Sequence, residues 1–326
     1  MKPRLGRGLG DLTAAPFGSI RPVPATGSAP ATDPVSAAGP APAVTAGPAR
    51  PRRPAIVCVT SGKGGTGKSV LTSNLAVHLA ATGVRVMAID CDLGLANLHL
   101  LLGVRPRRSL MEVIENGAGL DTIAEIGPVG LRLVAGGSGV PEMADLHPAR
   151  LRRLLAAMEG LGDRTDVVLV DTGAGIGRAT TVFIYALDEV LVVTTPDLTA
   201  MTDAYAVIKN VAHHNANARI SVVVNRARSA MEGLEVFGRI DQISQRFLGR
   251  RLLFLGHVLD DERVPISVAA RLPILLNQPG APAAACLRGV GRALLLEVEA
   301  RRTGQASQNE AARETGTHET RLGSGS

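Results

Sequence analysis

A chain of 326 residues fits one large α/β domain with extensions, and with only 2% aromatic residues it is poorly supplied for nucleic-acid recognition by base stacking. Its formal net charge of +6 lies outside the body: residues 1–54 carry seven basic against two acidic side chains, and the stretch from Arg301 carries four arginines against three glutamates. The balance in between removes charge as an argument for a DNA-coating domain.

No run approaches the ~20 apolar residues of a membrane span, and the basic start lacks the apolar stretch of an export signal. Cys58, Cys91 and Cys286 are too scattered for a Cys-x-x-Cys site or a disulfide framework. A cytoplasmic location is therefore predicted. Residues 1–54 hold 11 of the 20 prolines and almost no large apolar side chains, so they read as a disordered basic arm. Residues 55–302 form the folded body, and 303–326 read as a disordered polar tail.

Along the body, short apolar runs at 55–60, 84–89, 131–134, 167–170, 190–194, 220–224 and, more weakly, 252–255 read as strands. Helical spacing is clearest at 70–81, 148–158, 201–214, 235–247 and 283–301. Strands buried on both faces and alternating with helices predict a mostly parallel twisted sheet covered by helices on both sides. In the last helix Leu287, Val290, Leu294 and Val298 make one stripe with Arg288 and Arg292 off it, which predicts a core-packing helix.

Between the first strand and the first helix stands Gly62-Lys63-Gly64-Gly65-Thr66-Gly67-Lys68-Ser69. This is the phosphate-loop pattern G-x-x-x-x-G-K-[ST] in its strand–loop–helix context. Glycines let backbone N–H groups close around phosphate oxygens, and the helix N-terminus adds a positive dipole end. Lys68 is expected on the β- and γ-phosphates of ATP and the Ser69 hydroxyl on Mg²⁺. Three further strand ends lead into Asp90-Cys-Asp92-Leu-Gly-Leu-Ala-Asn97, Asp171-Thr-Gly173-Ala-Gly-Ile176 and Asn225-Arg226. Ligands of such sheets lie beyond the carboxyl ends of the strands. Asp171, after an apolar strand, is the expected Mg²⁺ partner acting through water.

With Lys63 directly after the first glycine, the chain resembles the MinD/ParA group of deviant Walker P-loop ATPases from about Ala55 to Arg301. Asp90-x-Asp92-x-Gly94-Leu95-x-Asn97 is similar to the MinD/FlhG branch. Asp171-Thr-Gly-Ala-Gly, the run from Thr194 to Lys209, and Val264…Arg271-x-Pro273 are similar to the FlhG/FleN flagellar-number regulators. The resemblance implies an ATP-dependent homodimer in which Lys63 reaches the partner's phosphates, a cation supplied in trans. It also implies that Asp92 orients or deprotonates the attacking water with Asp90 beside it. The Gly173 N–H would sense the γ-phosphate, and Asn225, followed by Arg226, would hydrogen-bond the adenine.

No arginine finger within the chain is legible, so slow intrinsic turnover completed by a protein partner, such as an FlhF-like GTPase, is expected. The chain departs from the resemblance at both ends. The polar tail carries no amphipathic membrane helix, which leaves peripheral membrane attachment poorly supplied. The start, Lys2-Pro-Arg4-Leu-Gly-Arg7-Gly-Leu-Gly10, is similar to ParB proteins rather than to the Asp-Gln-Ala opening of FlhG. The leading reading is a switch placing or counting flagella or another polar structure. The alternatives are a ParA-like partitioning ATPase on DNA and a MinD-like division-site regulator.

Overall fold

The computed structural model describes residues 53–92, 95–137 and 148–301. In chain order they give β1 (Ala55–Ser61), α1 (Lys68–Ala81), β2 (Val86–Cys91), three short helices α2 (Leu98–Leu101), α3 (Leu110–Asn116) and α4 (Leu120–Ile123), then β3 (Glu125–Ile126) and β4 (Arg132–Val134). There follow α5 (Pro148–Glu159), β5 (Val167–Ala174), α6 (Arg178–Ala186), β6 (Glu189–Thr194), α7 (Leu198–His214) and β7 (Arg219–Ala227). The fold is completed by α8 (Ala230–Leu248), β8 (Leu253–Leu259), α9 (Arg263–Ala269), α10 (Ile274–Asn277) and α11 (282–301). The proline-rich arm through residue 52, the tail from residue 302, and Leu93 and Gly94 lie outside the described residues. So do the expectations of disorder and of a ParB-like start.

The strands form one sheet in the order β3-β4-β2-β5-β1-β6-β7-β8. All neighbours run parallel except β3 with β4. The alternation expected of doubly buried strands is explicit: on β5, Val168 and Val170 enter one core while Val167 and Leu169 enter the other. α3, α5, α7 and α8 cover the first face, and α1, α10 and α11 cover the second. The chain leaves β1 in one direction for β2 and later in the other for β6, with β5 inserted beside β1. The turn after β1 therefore opens at the point where the strand order reverses, the position at which such sheets bind ligands.

Two differences from the sequence reading matter. The second and fifth strands do not stop at their apolar runs. β2 continues through Asp90 and Cys91, and β5 through Asp171 to Ala174. Their parallel pairing, with Asp90 opposite Asp171, carries the ladder past the apolar residues and places both carboxylates inside the sheet. The short helices α2, α3, α4, α6, α9 and α10 were also not foreseen; at four to nine residues they are too brief for a 3.6-residue period to show.

The predicted stripe of α11 is buried against the second face. Arg301 at its end donates to Glu189 Oε1 at 2.6 Å and to Asp188 Oδ2 at 3.0 Å, fixing it to the start of β6. Leu287, 2% exposed, and Leu296, 66% exposed, separate packing from surface on this one helix. Leu287→Ala is expected to cost about 2–5 kcal/mol, whereas Leu296→Ala should stay within about 0.5 kcal/mol. Urea unfolding of the two variants checks this, and similar small losses would contradict a core role for α11.

Candidate active site

The loop between β1 and α1 is shaped by its glycines. Gly65 and Gly67 hold φ of 78° and 87°, left-handed values that ordinary residues adopt at a cost. Gly67 leads into α1, accepting the first helical hydrogen bond from Leu71 N at 2.9 Å. A Cβ on Gly67 would lie 2.2 Å from Asn225 Nδ2. Gly62 is constrained differently: a Cβ there would lie 2.1 Å from the carbonyl carbon of Asp203, so the loop begins seated directly on the backbone of α7.

At the floor of the site Lys68 and Asp171 meet, Nζ to Oδ1 at 3.0 Å, with both side chains almost wholly buried. The Thr72 hydroxyl donates to the same oxygen at 3.0 Å. Desolvating two charges is costly, and the pair recovers that cost only through close geometry and added hydrogen bonds. Thr72 was not singled out from the sequence. Its position four residues after Lys68 places it on the same helix face, which is the signal that would have found it.

Asp171 Oδ2 is buried and has no hydrogen-bond partner among the described residues, and the same holds for Thr66 Oγ1. A buried acceptor left unsatisfied is costly. Near it the Ser69 hydroxyl lies 3.4 Å from Lys68 Nζ. A hydroxyl, a carboxylate oxygen without a partner and a glycine loop with a buried lysine are the groups that suit Mg²⁺ and a nucleoside triphosphate.

Asp90 sits on β2 opposite Asp171 and is fully buried. Its two oxygens accept the backbone N–H groups of Asp92 at 3.1 Å and Leu98 at 2.9 Å. Burial, and after it the charge of Asp171, pushes its carboxyl up to about 7. Asp90 thus holds the β2–α2 loop from beside Asp92, where the resemblance implied it would lie. Asp92, half-buried, is the carboxylate that reaches the cleft. A Cβ on Gly173 would lie 3.6 Å from Asp92 Oδ1 and 3.2 Å from Thr180 Oγ1, so a bulkier residue would crowd the space between the β5 turn and Asp92. That turn is tied to the end of β1 by Gly175 N donating to Ser61 O at 2.7 Å.

The remaining candidates are spread around this floor. Lys63 is exposed, its ammonium donating to Thr199 Oγ1 at the start of α7 at 3.1 Å. Asn225 lines the second of two cavities flanking the loop, and its Nδ2 donates to the Thr66 carbonyl at 2.7 Å, so the amide also braces the loop from behind. Arg226 follows with φ of 55° and an exposed side chain.

Two adjoining cavities flank the loop. One, of about 740 Å³, joins Gly64–Ser69 to Asp92, Leu95 and Arg271. The other, of about 670 Å³, joins Gly65 and Gly67 to Asn225, Arg226, Asp260 and Val264. Arg271 is a site residue that the motif reading left without a role.

Because Asn225 holds the loop, Asn225→Ala is expected to weaken ATP and ADP alike, by about three- to tenfold, the range of one hydrogen bond. Titrations with ATP, ADP and GTP check this, and a selective loss of adenine over guanine nucleotides would return Asn225 to base recognition.

Residues 57–274 match the family described as the CobQ/CobB/MinD/ParA nucleotide binding domain. The chain is 38% identical over 237 residues to the antiactivator FleN of Pseudomonas aeruginosa, covering 73% of this chain and 85% of that protein. It is 36% identical over 204 residues to the flagellum site-determining protein YlxH of Helicobacter pylori, covering 62% and 68%. Among solved structures, the cell division ATPase MinD of Pyrococcus furiosus superposes with a TM-score of 0.63 at 24% identity, over 74% of this chain and 98% of that one. The chain therefore belongs to the CobQ/CobB/MinD/ParA family of nucleotide-binding domains, whose MinD and ParA members are ATPases, and within it is similar to FleN and YlxH.

Proposed function

We propose that this chain is an ATP-driven dimerisation switch of the FleN/FlhG type, regulating the placement or number of flagella or of another polar structure. The observation that carries the reading is the contrast between two lysines of one loop. Lys68 is buried and matched by Asp171, whereas Lys63 is exposed and among the described residues holds only a threonine hydroxyl. An inward cation suits the chain's own phosphates, and an outward one can serve a second copy. The names of its relatives FleN and YlxH supply the flagellar part of the reading.

In this scheme Ser69 and, through water, Asp171 would hold Mg²⁺. Lys68 and the loop N–H groups of Gly62–Gly67 neutralise phosphate charge, and Gly173 lies beside the terminal phosphate. Mg²⁺-ATP supplies the transferable phosphoryl group when bound. Asp92 orients the attacking water and accepts its proton, while Asp90 keeps the Asp92 loop in place. Turnover is slow, because Lys63 acts only after a second copy has docked, and a protein partner, such as an FlhF-like GTPase, accelerates it.

The partitioning alternative on DNA needs a cluster of free cations, and the compact cluster the chain offers is partly spent. Of the sequence cluster Arg246, Arg250 and Arg251, the Arg250 guanidinium is engaged by the carbonyls of Ala216 and Ala218. Non-specific DNA binding needs several free cations on one face. Nor does any helix among the described residues have the length and apolarity to cross a membrane. The apolar stripe of α11 is packed on the sheet and so is not free for docking.

Lys68→Ala is expected to lose ATP affinity by more than about tenfold. Asp92→Ala should bind ATP normally and lose at least about a hundredfold in turnover. Lys63→Ala should bind ATP yet stay monomeric. Equilibrium titration, phosphate release and light scattering in ATP and ADP check these outcomes, with thermal unfolding as control because Lys68→Ala strands the Asp171 charge. Unimpaired turnover in Asp92→Ala would remove it from the chemistry. Asp92→Ala mixed with anionic lipid vesicles should remain in the supernatant in both ATP and ADP, and pelleting in ATP alone would restore direct membrane docking.

A further inference from the structure

α9 and the turn after it close over both cavities, with Val268 and Ala269 contributing to each. Arg271 belongs to one of them. It lines the cleft that holds Lys68, Ser69 and Asp92 and is absent from the lining around Asn225. We propose that Arg271 is a cation, supplied by the same chain, that contacts the terminal phosphate of the bound nucleoside triphosphate and lets the site distinguish triphosphate from diphosphate. The inference rests on the nucleotide-binding reading above and adds to it a residue to which the family motifs give no task.

Two independent features support it. The Arg271 guanidinium is exposed and makes no hydrogen bond or ion pair with another described residue, although Asp92 lines the same cleft. An unpaired guanidinium in a cleft with a phosphate loop is the group best suited to a phosphate oxygen, through charge-assisted and bidentate hydrogen bonds.

The backbone of Arg271 is also held in the left-handed region, at φ of 54°. For a long side chain that conformation costs free energy, and an observed outlier of this kind is grounds for seeking a function. The surroundings fix it there. Arg271 N donates to Val268 O at 3.0 Å and Leu272 N to Ser267 O at 3.1 Å, while Asn277 Nδ2 holds Ser267 Oγ at 3.1 Å. A Cβ on Gly103 would come 2.9 Å from the Arg271 carbonyl oxygen, so the turn rests closely on the segment after α2. A glycine at 271 would satisfy this turn without strain, yet the chain carries an arginine.

Its charge also reaches α2. After burial, Arg271 is the cause that pushes His99 of α2 below its ordinary value.

The test uses the full chain in a Lys63→Ala background, which withholds the second copy's cation. ATP and ADP affinities, each with Mg²⁺, are measured by displacement of a fluorescent ADP from three forms: Arg271 intact, Arg271→Gly and Arg271→Gln. Thermal unfolding is recorded for each. Arg271→Gly removes the cation and relieves the backbone, so it should melt no lower than the parent. Arg271→Gln removes the charge and keeps the strain. Both are expected to weaken ATP by about tenfold and leave ADP within about twofold. An equal loss for both nucleotides, or no loss, would overturn the role. Arg226→Ala, at the other cavity, should leave the ATP-to-ADP ratio unchanged; a comparable shift there would assign the selectivity to general loop charge and also overturn it. A parent protein that binds neither nucleotide would refute the nucleotide-binding reading itself, and this inference with it.

Discussion

The buried pairing of Lys68 with Asp171 is the constraint on which the rest of the site depends. The two residues come from α1 and β5, separated by 103 positions in sequence, and each would be a severe liability in the core without the other. The pairing requires β5 to lie beside β1, with Asp171 opposite Val59, and the insertion of β5 between β1 and β2 provides this. The same strand order sets Asp90 opposite Asp171 on the other side. Two adjacent buried carboxylates repel, and the chain resolves the conflict unequally. Asp171 has a lysine and a threonine hydroxyl, while Asp90 has two backbone N–H groups and a carboxyl driven toward neutrality.

That inequality assigns the work. A carboxylate whose oxygens are committed to a loop's backbone acts as a brace, and Asp90 braces the loop bearing Asp92. Asn225 plays a corresponding part behind the phosphate loop through the Thr66 carbonyl. The groups that line the cleft around this floor include Ser69, Asp92, Asn97, the loop's own N–H groups and Arg271. They surround a space and leave its floor to the buried pair.

Much of this was legible in the chain. The phosphate loop declares itself by glycine spacing, because backbone closure around phosphate tolerates few other residues there. The strands could be found because residues such as Val168–Val170 on β5 are apolar on both faces. The α11 stripe of Leu287, Val290, Leu294 and Val298 was readable as core for the same reason. What was not legible depends on where a side chain's hydrogen-bonding capacity is spent. Asp90 and Asn225 each carry the residue type expected of a contact group, yet their partners are set by strand register and by a carbonyl 159 residues away. Arg271 was hidden for another reason: its significance lies in a backbone angle and in an unpaired guanidinium, neither of which a residue name records.

The seat of Gly62 on α7 has a mechanical meaning. With an added Cβ only 2.1 Å from the helix backbone, there is no compressible layer between the loop and α7. The loop therefore takes its position from the helix axis much as a gauge takes its zero from its mounting. Lys63 is fastened to that mounting twice, through the backbone next to Gly62 and through the hydroxyl of Thr199. Leu198, at the outer end of the same helix, is 76% exposed and open to whatever presses on that surface. A shift of α7 would therefore carry the outward lysine with it.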